Sequence, residues 1–394
     1  MSVGPLGDYP PELSKPTEQL HPQQVYEELH ANGSLRWDQN RGCWDIYGYE
    51  LVKEVANDHD RFSVRFDADP EFVEPEGGMI TGKSMLYQDP PRHDELRSVV
   101  DDFFKPGAVR SLTPEIEATA DRLLTEATAA GGEFDLVTAL SYPLPVLVIA
   151  EMIGVPADDR ELFREWSTFA VSASGSKGPE DEMMQQFRDG ITAYFDDLVA
   201  KRRENPKDDL LSKVIATEGL DREEMLGFFI ILLIAGNITT TNLITNAVWT
   251  LAEEDSFDTL RENPEMIDVA LEEVLRYRSP VQTHTRVAVK DTELDGKSIS
   301  AGDRIGVWFG AANHDPTVFD RPDEFIIDRQ PNPHVAFGHG THFCLGAHLA
   351  RLEAKVAIKT LLDRFETITL VEKPTKPSGS MLVYGPQSLR VSVS

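Results

Sequence analysis

The sequence predicts a mainly α protein with a small β lobe, and three observations carry that expectation. Apolar residues recur at helical spacing through most of the chain. One segment, residues 221 to about 253, reads as a helix of about 48 Å at 1.5 Å per residue, long enough to traverse a domain. Extended runs broken by turn residues are confined to residues 42–47 and 285–309.

The elements follow in order. Residues 1–19 hold four prolines and no apolar stretch, so no signal peptide is expected. Residues 114–130 and 183–203 have amphipathic helical periodicity, and the Ser/Gly-rich stretch 172–178 reads as a flexible interruption between helices. Asp221 fits an N-cap, with Glu224 three residues on completing a capping box. Residues 228–235 are apolar on every face, so this helix is expected to cross the interior. The surrounding apolar run, 225–236, is a dozen residues, short of the roughly 20 a membrane span needs. Asn263 and Pro264 are expected at N-cap and N1 of a helix reaching Tyr277. Strands then run between Asp-Gly and Ala-Gly turns, and residues 347–365 form a last helix.

Composition bounds the function. The 394 residues are 41% apolar and 8% aromatic, an ordinary globular balance with no repeat and no long linker. Sixty-seven acids against 38 bases leave a net charge of −29, and only 14 of the bases are lysine. Such a surface repels nucleic acid and anionic membranes, so neither is an expected partner. It also destabilises a compact fold unless salt screens it, which points to a halophilic cytoplasm; an acidic cytosolic protein is the plainer alternative. The two cysteines, Cys43 and Cys344, suit a reducing interior. Cys43 reads as an inert buried thiol, which leaves Cys344 to explain.

Cys344 lies in Phe337-Gly338-His339-Gly340-Thr341-His342-Phe343-Cys344-Leu345-Gly346. Two glycines before the cysteine permit tight turns, and Gly346 after it lets a flat ligand approach. The helix that follows offers unpaired N–H groups, which are expected to lower the thiol pKa. A thiolate so placed suits an iron porphyrin. Alone, the loop also fits a hydrolase nucleophile or an inert core cysteine.

The ten residues resemble the haem-binding signature of the cytochrome P450 family at every fixed position. Glu273 and Arg276, in Glu-Glu-Val-Leu-Arg-Tyr, resemble the family's Glu-x-x-Arg pair, a structural brace. Asn313-His314-Asp315-Pro316, followed by Phe325 and Arg329, resembles the segment leading into the loop. The resemblance runs from about residue 25 to the C-terminus. It implies a single P450 domain over 1–394, its β lobe drawn from about 25–60 and 285–310. In that fold a long central helix lies over haem b and a cysteine loop lies beneath it. It makes Cys344 the iron ligand, with Phe337, Gly338 and Gly346 against the cofactor. His93, Arg97, Arg286 and His342 match the cationic partners of the haem carboxylates, which are costly to bury unpaired.

On the long helix, Ala235-Gly236-Asn237-Ile238-Thr239-Thr240 resembles the family's oxygen-binding stretch, Ala-Gly-x-(Asp/Glu)-Thr. Thr239 matches the alcohol that assists oxygen activation, and Gly236 leaves room beside the backbone. Ile238 replaces the usual acid, so protons must come by water, Asn237 or another route. The hydroxyl of Thr239 has a second reading, a bond to the preceding turn.

The resemblance implies a monooxygenase acting on a mainly hydrophobic small molecule of terpenoid, fatty-acid or steroid type. No flavin or iron–sulfur sequence is fused to it, so a ferredoxin and its reductase are the expected electron donors. Because ferredoxins are usually acidic, Arg97, Arg110 and Arg351 are expected to make the haem-loop face locally basic. A peroxide-driven peroxygenase, a thiolate-haem isomerase or dehydratase, and a haem sensor are the competing readings. By family position the pocket walls are residues 81–86, 163–184, 234–237, 281–284 and 381–382, with Thr283 and His284 as polar anchors.

Overall fold

A computed structural model describes residues 9–68, 82–160, 162–163, 165–166, 182–377 and 382–394. The expected interruption at 172–178, and the pocket segments at 81, 167–181 and 381, lie outside the described residues. The helices that build and brace the site are, in chain order, α1 (Tyr49–Asn57), α2 (Arg92–Phe104), α3 (Thr113–Thr128), α4 (Pro143–Ile153), α5 (Glu182–Glu204), α6 (Arg222–Glu253), α7 (Ile267–Tyr277) and α8 (Ala347–Arg364).

The capping box forms at the start of α6. Asp221 accepts the Glu224 N–H at 2.9 Å, and the Glu224 carboxylate accepts the Asp221 N–H at 3.0 Å. Residues 225–233 and 240–251 of α6 are buried, so the helix runs through the interior as its composition demands. By length and composition α6 could also cross a membrane, but 76% of its apolar window is buried inside the protein. Helix α8 packs against α3, α6 and α7, and one apolar cluster joins all of them to α4.

The strands form a lobe beside this body. In a five-stranded sheet the order is β1 (Leu35–Asp38), β2 (Cys43–Ile46), β8 (Arg304–Val307), β5 (His284–Ala288) and β3 (Phe62–Ser63). Only the β2–β8 pairing is parallel. Pairing of Arg286 with Ile305, and of His284 with Val307, sets the register of β5. A hairpin joins β6 (Thr292–Leu294) and β7 (Lys297–Ile299) through Asp295 and Gly296, both at positive φ, as a tight hairpin turn requires. Strands β4 (Glu133–Asp135), β10 (Arg390–Val393) and β9 (Ile368–Leu370) pair separately.

The strands at 35–38, 62–63, 133–135, 368–370 and 390–393 lie outside the extended runs expected at 42–47 and 285–309, being too short to show in the periodicity, and one helix boundary also differs. A single 3₁₀ turn, Pro264–Met266, precedes α7, and the Asn263 side chain caps nothing ahead of it. Its amide instead donates to the Thr259 carbonyl at 2.9 Å, at the C-terminal end of the short helix Phe257–Glu262. The end of one helix has taken the group expected to start the next.

Candidate active site

The cysteine loop is shaped by its glycines and tied down by its neighbours. Gly338 and Gly340 have φ of 76° and 72°, a region open to glycine at little cost. At Gly340 a Cβ would stand 2.4 Å from Asn57 Oδ1 and 2.9 Å from Asn57 Cα, so the end of α1 leaves no room for a side chain. The Cys344 N–H donates to the Phe337 carbonyl at 2.9 Å, closing the loop. Arg97, from α2, donates to the carbonyls of Phe343 at 2.6 Å and Thr341 at 3.4 Å. Apart from its chain neighbours, nothing lies within 4 Å of a Cβ built on Gly346, so the backbone there leaves room for a flat group to approach.

The thiol itself departs from expectation. Burial pushes the Cys344 pKa up, and the Gly346 N–H, Arg97 and Arg351 pull it back only in part. Desolvation of an anion outweighs the partial charge at a helix start.

The four bases assigned to haem carboxylates sit in two environments. The rings of His93 and His342 lie 4.2 Å apart, and Nε2 of His342 is buried without a hydrogen-bond partner among the described residues. Burial, then the nearby Arg286 and His93, holds His342 down at about 2. Arg286 is also buried; its one hydrogen bond among the described residues goes to the Thr285 carbonyl at 2.9 Å, and no carboxylate pairs with it. Burial lowers its pKa to about 10. A buried guanidinium and an unpartnered imidazole fit a doubly anionic group such as the haem carboxylates. Arg97 differs, since its hydrogen bonds reach the loop carbonyls and Asp101. His284, expected as a polar anchor, is held by burial at about 4 and stays neutral.

On α6 the burial breaks at one turn. Ala235 is exposed, and Gly236, Ile238 and Thr239 are half-buried, between two wholly buried stretches. A Cβ on Gly236 would come no nearer than 3.9 Å to any neighbour, so packing alone does not demand glycine there. The Thr239 hydroxyl donates to the Ala235 carbonyl at 2.8 Å, the local bond of its second reading, and its oxygen lone pairs stay free to accept. Asn237 lies about 200° around the helix from Thr239. It is fully buried, and its amide donates to the Leu233 carbonyl of its own turn.

Glu273 and Arg276 form a buried knot wider than the sequence pair. Arg276 donates twice to the Glu273 carboxylate, both at 2.8 Å. Arg329 Nε lies 3.0 Å from each carboxylate oxygen, and Ile326 N–H and Asn332 Nδ2 add 2.9 and 3.2 Å bonds. Arg276 also grips the Asn313 carbonyl at 3.0 Å, and Asn313 Oδ1 accepts the Val335 N–H at 2.7 Å. The knot therefore reaches the chain entering the cysteine loop.

Glu272, His334 and Glu353 are among the residues not singled out from the sequence. Glu272 bonds Arg351 and His334 beneath the loop, and Glu353, on α8, is buried with Oε1 unpartnered among the described residues. Burial pushes the Glu353 carboxyl far above its usual range, so it is neutral. Nothing in the local pattern of α8 distinguishes it from a surface acid.

The loop face is less basic than expected. Arg97 and Arg351 are already paired with Asp101 and Glu272, while Arg110 stays exposed. A groove of about 630 Å³ beside His339 is lined by Glu50, Glu54, Asp58 and Asp60 against Lys53 and His59.

Comparison with known proteins places this arrangement in a class. The Cytochrome P450 family model matches residues 258–393. Putative cytochrome P450 YjiB of Bacillus subtilis is 37% identical, over 95% of this chain and 94% of its own length. Cytochrome P450 109 of Bacillus spizizenii is 38% identical over 97% and 94%. The crystal structure of CYP109E1 from Bacillus megaterium in complex with testosterone matches with a TM-score of 0.85 at 38% identity, covering 96% of this chain and 99% of that one. The chain belongs to the cytochrome P450 family. It is a haem-thiolate monooxygenase, and its cofactor is haem b.

Proposed function

We propose that this single-domain P450 oxygenates a mainly hydrophobic small molecule of steroid, terpenoid or fatty-acid type. Electrons come from a separate ferredoxin and its reductase. The carrying observation is the accessible strip Ala235–Gly236–Thr239, a one-turn opening between the buried stretches 225–233 and 240–251 of α6. The testosterone complex of the Bacillus megaterium relative supports the apolar substrate class.

When bound, haem supplies the redox and oxygen-activating chemistry, and the protein supplies position, dryness and protons. Cys344 would hold the iron, and Phe337, Gly338 and Gly346 would line the site of the ring. His93, Arg286 and His342 take the carboxylates, and Arg97 holds the loop carbonyls beside them. With its hydroxyl turned from the Ala235 carbonyl, Thr239 would hold a water by hydrogen bond, and any proton the hydroxyl passes on would be replaced from that water, itself replenished through further waters from solvent. Asn237 holds its own turn rather than joining that exchange, and Ile238 keeps bulk water from it. The net charge of −29 supports work in a salt-rich cytoplasm.

Two substitutions test the reading. Cys344→Ser abolishes the red-shifted absorption of the reduced carbonyl complex, whereas Cys43→Ser retains it; a retained band in Cys344→Ser overturns the ligand assignment. Thr239→Ala leaves the substrate-induced spectral shift nearly unchanged and diverts reducing equivalents to hydrogen peroxide. General acid help of this kind is worth roughly 10²- to 10⁴-fold. Unchanged product yield and peroxide leakage rule out the role given to Thr239.

A further inference from the structure

Two glutamates stand side by side on α7 and face different partners. Glu273 turns into the buried knot, while the half-buried Glu272 reaches toward the cysteine loop from below. Its carboxylate accepts Arg351 Nε at 2.6 Å and Nη2 at 2.8 Å, a bidentate pair of the strong, directional kind. It also meets His334 Nε2 at 2.9 Å. Because His334 Nδ1 accepts the Ala336 N–H at 3.3 Å, the ring proton sits on Nε2 and points at Glu272. The Arg351 guanidinium lies over the Phe337 ring, 4.4 Å from its centre, and the Phe337 carbonyl accepts the Cys344 N–H. One carboxylate thus grips the chain entering the loop through His334 and the helix leaving it through Arg351. It also offsets the guanidinium stacked on Phe337, the residue whose carbonyl holds Cys344.

We propose that Glu272 is a positioning residue for the cysteine ligand: it fixes residues 334–344 through His334 and Arg351 and sets the net charge beside the sulfur. The inference rests on Cys344 being the iron ligand. A positive charge near the iron favours the reduced state, so Glu272 and Arg351 act on the reduction potential with opposite signs. Their bonds act together on the rigidity of the loop.

The experiment uses the haem-loaded protein and two readouts, reduction potential and hydrogen exchange of the amides from Ala336 to Cys344. Glu272→Gln shifts the potential positive and Arg351→Gln shifts it negative. Each changes the ratio of reduced to oxidised protein several-fold at fixed potential, where tenfold is about 59 mV for one electron. Both speed exchange in the loop. In the double variant the potential returns toward that of the parent while the loop exchange stays fast, which separates charge from geometry. Glu272→Asp keeps the charge and loses the reach, so its potential stays near the parent value and its loop exchange rises; it serves if Glu272→Gln does not hold haem. Parent-like potentials in both single glutamine variants overturn the proposal. So does faster exchange spread evenly over the protein, the mark of a merely structural residue. A parent protein without the thiolate band defeats the assignment of Cys344 first, and is told apart by that band.

Discussion

The knot around Glu273 and the base cluster of His93, His342 and Arg286 are both buried and each holds a charged guanidinium, yet they are finished to different degrees. Glu273 accepts bonds from two arginines, an asparagine and a backbone N–H, and its oxygens are fully used. His342 Nε2 has no partner among the described residues, and Arg286 has one carbonyl. Buried polar groups in folded proteins are overwhelmingly satisfied, so an unsatisfied one marks either strain or a missing partner. We read the completed cluster as scaffold and the incomplete one as the receptor proposed for the haem carboxylates. In this protein, satisfaction rather than burial or charge separates the two.

The largest test of that contrast is Glu273→Gln, which strips the countercharge from two buried guanidiniums. Breaking such a pair costs about 3–5 kcal/mol, enough to lower the denaturant midpoint sharply with or without haem. An apoprotein unaffected by the change removes the knot from the scaffold. Arg286→Met is the converse. Hydrogen bonds to charged groups are worth about 1.5–3 kcal/mol, so haem retention in competition with apomyoglobin should weaken roughly 10- to 100-fold. Melting of the apoprotein should stay equal or rise, because an unpaired buried charge has gone; a clear fall makes Arg286 structural. The smallest effect is that of salt. Between about 0.1 and 1 M the screening length falls from about 10 to 3 Å, so the acidic surface should melt at higher temperature in the stronger salt. The penalty of Glu273→Gln should not move, since its charges are dry. A parent melting temperature indifferent to salt counts against the halophilic reading.

Much of the site was legible because it is local. The Cys344 loop, the capping box of Asp221 and Glu224, and the all-apolar stretch of α6 are each contained in a short run of residues. What escaped depends on residues brought together by the fold. Arg329 and Asn332 complete the Glu273 carboxylate from 56 and 59 positions away, and Glu272 meets Arg351 across 79. The rise of the Cys344 pKa was hidden for a related reason: a helix start is visible in sequence, whereas desolvation belongs to everything packed around it. Asn237 shows the limit of motif spacing. Its position in the oxygen-binding stretch suggested a shared task with Thr239, but two residues along a helix turn a side chain nearly to the opposite face.

The contact between Gly340 and Asn57 also bears on how the domain assembles. Asn57 closes α1, and Gly340 can lie against it only without a side chain. The two residues lie 283 positions apart, and the sheet behind α1 takes β5 and β8 from the chain just ahead of the loop, so this seat is complete only when the domain folds as a unit. The cysteine loop and its seat therefore come together in one cooperative step. A change at Asn57 would therefore be felt as a slower arrival at the whole fold, and only through that as slower cofactor loading.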